Sequence, residues 1–225
     1  MTNQIANADS NAPVGAPAAT ELTFNLTATN GSSLPGAHYF NVFPPALKTP
    51  SLKSQTLTAL VSQPTTSENP TTTLTWKGGG GALALFALAS GMVIGNVERT
   101  PVALGDTVAV AWVDGAFTIT LAAGGPANAV EVTFAPGIPP DAQIGLVVGP
   151  APILVSVPAG LSSLTLEPDL SPVAMVVFGT AFQLPQPEMS DASQARTIMF
   201  NLDTAVATAS AQIAVGLENR IVQIA

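Results

Sequence analysis

The chain has 225 residues, with 6 Lys and Arg against 14 Asp and Glu, a formal net charge of −8. Charged residues are 9% of it, against about 25% in an ordinary soluble domain; six scattered cations give no footprint for a phosphate backbone, so nucleic acid is not an expected partner. The absence of Cys excludes disulfides, thiolate metal sites and a Cys nucleophile, and the single His38 excludes a multi-His metal centre.

Residues 1–20, MTNQIANADSNAPVGAPAAT, are rich in Asn, Ala and Pro, carry one charge, Asp9, and show no apolar periodicity. That composition predicts an extended low-complexity arm. With so little to bury by itself, the arm is expected to join a neighbouring copy, with Ile5, Val14 and Pro17 as its candidate contacts. The same stretch lacks the basic start and apolar centre of a secretory leader. The sequence assigns no compartment; an extracellular location would require export without a recognisable signal peptide.

Beyond the arm, apolar residues alternate with Thr, Ser and Asn at a period of two, the signature of strands with one buried face. Leu22, Phe24 and Leu26 open the series, followed by Tyr39–Phe43, which ends at Pro44-Pro45. Thr56–Val61 is read as the next strand. Thr71–Trp76 places Leu74 and Trp76 on one face. Ala82–Ala89 is apolar on both faces, which predicts a central strand. Thr107–Val113 and Phe117–Leu121 flank Asp114-Gly115, the strongest hairpin signal in the chain. Val130, Val132 and Phe134 share an inward face opposite Glu131 and Thr133. Strands are expected at Ile144–Val148, Ile153–Val157, Ser163–Leu166 and Val173–Phe178. The last predicted strands are Thr197–Leu202, Val206–Thr208, Gln212–Leu217 and Ile221–Ile224. Pro or Gly at most breaks leaves helices little room. In Ala205–Leu217, the one segment with helical length, the β-branched residues favour strand. Two charge-free stretches, Gly78–Val97 and Ala142–Leu166, are broken by Gly or Pro too often for a transmembrane helix. The expected fold is all-β: one antiparallel two-sheet β-sandwich, jelly-roll-like, over residues 21–225.

The order of segments resembles the rhizosphere-induced protein family of the quorum-sensing-regulated Rhi type. The similar positions are Asn30, Gly36, a strand with Phe40, Val42 and Phe43 ending in Pro44-Pro45, Leu60-Val61-Ser62 and Leu74-Thr75-Trp76. They continue through Ile138-Pro139, Gln143-Ile144-Gly145, Val177-Phe178-Gly179, Ser190-Asp191 and Phe200. These are turn and core positions spread over about 22–220. The resemblance implies an antiparallel sandwich and brings no catalytic residues with it. The family carries more Trp and Tyr along its early strands than the Tyr39, Trp76 and Trp112 found here.

Residues that carry chemistry are few. His38 with Ser33 or Ser51 lacks a G-x-S-x-G elbow and starts a strand beside Pro35-Gly36, which favours a strand-edge histidine. Glu167 and Asp169, Asp106 and Asp114, and Glu188 and Asp191 lie at strand ends and turns, where Asp is favoured for local hydrogen bonding. None has EF-hand spacing. Gly78–Gly81 lacks the Lys-Ser/Thr of a phosphate loop. The sequons at Asn25 and Asn30 are read as chance in a Thr-rich chain. Trp76 and Trp112 are the candidate sugar-stacking residues, weighed against packing in the core. No enzyme activity, cofactor or metal is expected. The expected function is structural: a self-associating β-sandwich subunit, in a filament or shell, linked by its arm as a donated strand. The alternative is a lectin-like module for a neutral carbohydrate.

Overall fold

A computed structural model describes residues 21–43, 47–48, 54–56, 60–78, 83–92, 97–148, 151–179 and 196–224. The described residues form strands and no helix, in four sheets. In the first, β16 (Asn201–Asp203), β17 (Thr208–Val215), β1 (Leu22–Asn30) and β5 (Thr71–Gly78) lie side by side, and β18 (Ile221–Ile224) also pairs with β17. The second has the order β15 (Arg196–Met199), β14 (Val173–Gly179), β2 (Tyr39–Phe43), β4 (Leu60–Val61). The third runs β3 (Ser54–Thr56), β12 (Ala151–Ser156), β11 (Gln143–Val148), β6 (Leu83–Leu88), β7 (Thr100–Val102). The fourth runs β13 (Ser163–Leu166), β10 (Val130–Phe134), β8 (Asp106–Val113), β9 (Ala116–Ala123).

The all-β expectation holds, and pairing is mostly antiparallel. Two pairs are parallel: β1 with β17 and β8 with β10. Alternation along a strand fixes which face is buried but is blind to the direction of the neighbour, so these pairs left no mark in the sequence.

The buried side chains fall into two main clusters. Phe24, Leu26, Phe40, Val176, Ile198 and Ile213 belong to one, which joins the first and second sheets. Leu85, Val108, Val132, Ile144, Ile153 and Leu166 belong to the other, which joins the third and fourth. The first cluster draws on the two ends of the described chain and the second mainly on its middle, residues 83–166. A third cluster, Phe86, Leu88, Val147 and Leu154, covers the opposite face of the third sheet. Strand β6 is therefore apolar on both faces and lies between β11 and β7, as its sequence predicts.

Three local features differ from or sharpen the sequence reading. The predicted strand Thr56–Val61 ends in two sheets: Thr56 pairs with β12 and Leu60-Val61 with β2. The predicted strand Thr197–Leu202 is broken at Phe200, which is buried in the first cluster, so β15 and β16 join different sheets. The Asp114-Gly115 hairpin forms as expected. Both residues have positive φ, 50° and 82°, the type I′ geometry that suits strand twist. Val113 and Ala116 pair directly across it.

Candidate functional site

The outer face of the first sheet follows from the period-two pattern. With Phe24, Leu26 and Leu74 turned into the core, the intervening residues face outward. Their register sets them in rows across β17, β1 and β5: Thr208, Thr23 and Lys77; Ser210, Asn25 and Thr75; Gln212, Thr27 and Thr73; Ala214, Thr29 and Thr71. Eleven of these twelve positions are uncharged. Lys77 is paired with Glu21 at 3.0 Å. The Thr75 hydroxyl donates to Asn25 Oδ1 at 2.9 Å, and the Thr29 and Thr71 hydroxyls meet at 3.3 Å. The outer face of the fourth sheet is similar, with Ala109, Thr118, Thr120, Ser163 and Thr165 exposed and Glu131 as its charge, 3.4 Å from the Thr107 hydroxyl. Such faces cost less to desolvate than charged ones, because few charges must be stripped of water.

A cleft of about 590 Å³ lies beside β9. Phe117 and Ile119 of β9 are on one side, and Ala87, Met92, Val97, Glu98 and Thr100 are also among its lining residues. Among the described lining residues Glu98 is the one ionisable side chain, and Thr100 and Thr118 are the hydroxyls. A smaller cleft of about 280 Å³, between Phe134–Pro139 and Val157–Ser162, is lined without a charged side chain.

The sequence-predicted residues are scattered. Trp76 stacks on Phe24 at 5.3 Å and meets Phe200 edge-on at 5.5 Å, packed against the first cluster. Trp112 is half-buried and meets its cross-strand partner Phe117 at 4.7 Å, near-perpendicular. The two Trp residues belong to different sheets, and each spends ring surface on a neighbouring Phe. His38 stacks on Phe178 at 5.3 Å; its backbone exchanges bonds with Thr65, and its Nδ1 is buried with no hydrogen-bond partner among the described residues. Asp106 accepts from the Ala103 N–H at 2.7 Å, and Asp169 accepts from Ser171 N–H at 3.0 Å and from its hydroxyl. These are the turn roles that the sequence suggests. Glu167 takes part through its carbonyl, which accepts from Lys48 N–H. Among the described residues no group of three His, Cys, Asp or Glu could hold a metal ion, and no helix is long and apolar enough to cross a membrane. Asn30 of the second sequon is buried, its Oδ1 held by Ser32. Ile5, Val14, Pro17, Ser51, Gly79–Gly81, Glu188 and Asp191 lie outside the described residues.

Sequence reasoning placed the strand Phe117–Leu121 within β9 but missed the cleft that it walls. The signal was present: from Gly115 to Val130 the chain carries no charge. Compared with protein-family models, with curated proteins and with solved structures, the chain finds no match in any of the three.

Proposed function

We propose that this protein is a non-catalytic structural subunit that associates with copies of itself through uncharged sheet surfaces. Each pair of sheets that shares a buried cluster is read as a β-sandwich, and residues 1–20 as an arm linking one copy to the next in a filament or shell. The observation that carries the reading is the in-register face of β17, β1 and β5, with one charge in twelve positions, and that charge already paired. The cores of protein–protein interfaces are depleted in charged residues relative to the rest of the surface. The resemblance to the rhizosphere-induced type adds no activity, so the surface carries the argument. Light scattering behind size exclusion on the full chain and on a chain lacking residues 1–20 tests it. The expected result is a large species from the full chain and a smaller one from the truncated chain. Two species near 22.7 kDa, the mass of one chain, would overturn it.

A lectin-like role is the second reading, favoured by the hydroxyl rows Thr71, Thr73, Thr75 and Thr23, Thr27, Thr29. Saturable binding of a neutral oligosaccharide in calorimetric titration, lost in Thr27→Lys, would support it over self-association.

A further inference from the structure

Strand edges expose unpaired main-chain groups and invite another strand unless they are short, charged or interrupted by Pro. Most edges among the described residues meet one of these conditions. Strands β3, β4, β13 and β16 have two to four residues. Strand β7 has three and contains Pro101. Strand β5 carries Lys77. Strand β15 carries Arg196, and the Gln223 amide of β18 closes on Met199, accepting from its N–H at 3.1 Å and donating to its carbonyl. Strand β9 is the exception. It has eight residues, AFTITLAA, with no charge and no Pro, and among the described residues it pairs with β8 alone.

The hairpin dictates which groups of β9 are free. In a two-residue hairpin the pair flanking the turn exchanges both hydrogen bonds, and bonding then alternates along the ladder. Val113 and Ala116 flank this turn. Ala116, Thr118, Thr120 and Ala122 therefore bond to β8, and Phe117, Ile119, Leu121 and Ala123 aim their N–H and C=O groups at the open edge. The inward side chains Phe117 and Ile119 wall the cleft of about 590 Å³. Leu121, on the same side of the strand, is 43% exposed.

We infer that β9 pairs antiparallel with β9 of a second copy, across a two-fold axis at Thr120. This rests on the self-association reading above and names its contact. In that register Ile119 faces Leu121 of the second copy and Phe117 faces Ala123, so all four outward-aimed residues find partners. The inward faces coincide, which covers Leu121 and extends each sheet over the cleft of its own copy. A two-fold contact sets each residue against its own surface, so an uncharged strand meets no like charge in its copy. The fourth sheet becomes continuous across two molecules.

The register makes a test available in a chain with no Cys. Thr120 would sit opposite itself in a non-hydrogen-bonded pair, with Cα atoms about 4.5 Å apart, inside the disulfide range of about 4.4–6.8 Å. Two Thr118 residues would be about 13 Å apart, four strand residues out of step. Under mild oxidation Thr120→Cys is expected to form a disulfide-linked dimer about tenfold faster than Thr118→Cys, because only the first pair lies in bonding range. Thr120→Lys, an exposed outer-face change, is expected to keep the melting temperature and lower the scattering mass. Equal cross-linking of both Cys variants, or none in either, overturns the inference. If the full chain still associates in that case, only the β9 contact is wrong; if it is monomeric, the self-association reading falls with it.

Discussion

At the scale of single residues, polar satisfaction and close contact decide what each position tolerates. Ser62 is 5% exposed; its hydroxyl accepts from the Phe40 N–H at 2.9 Å and donates to the Gln63 carbonyl at 2.7 Å. Ser62→Ala leaves the Phe40 N–H, in a fully buried residue, without its partner. The expected loss is about 1–3 kcal/mol in denaturant unfolding. Gly145 pairs with Phe86 across β11 and β6, and the ring lies over it. A Cβ at Gly145 would come within 2.1 Å of Phe86 Cζ, and Phe86 is fully buried with nowhere to go. Gly145→Ala is expected to lower stability by about 1–3 kcal/mol, the usual cost of overpacking, read as a lower melting temperature. The sequence placed Trp76 beside Leu74 on one strand face, and the stack on Phe24 follows from that. It could not show Ser62 capping a strand twenty-two residues away, because nothing local marks which backbone N–H lacks a partner.

At the scale of elements, alternation and turn chemistry were legible and sheet membership was not. The Asp114-Gly115 hairpin was readable because type I′ turns need two positive φ values. Gly115 sits at φ 82°, where a β-branched residue is strained. Gly115→Val is expected to cost about 1–3 kcal/mol, whereas Gly115→Asn, which tolerates this region, should cost less. Paired melting curves of the two variants separate backbone strain from loss of a small residue. The continuous patterns at Thr56–Val61 and Thr197–Leu202 hid changes of sheet, since a period of two reports a buried face and not the strand beside it. In the second case Phe200 fills the core at the crossing point and looks, in sequence, like any inward residue.

At the scale of the whole molecule, composition foretold an all-β chain with neutral outer faces. It did not foretell that the buried residues would divide into two main clusters, one from the ends of the chain and one from its middle. That division depends on long-range pairing such as β1 with β17, about 185 residues apart. The surface follows from the same sequence: when strands alternate apolar residues with Thr, Ser and Ala, burying one set leaves the other to meet solvent or another molecule. Contacts made between such surfaces depend on main-chain hydrogen bonds and apolar burial, which salt screens little, unlike ion pairs. Sedimentation velocity of the full chain, run over a range of concentrations at low and high salt, tests the central claim most directly. A species heavier than one chain that grows with concentration and persists at high salt is the predicted result. A single boundary at the mass of one chain under every condition would contradict it.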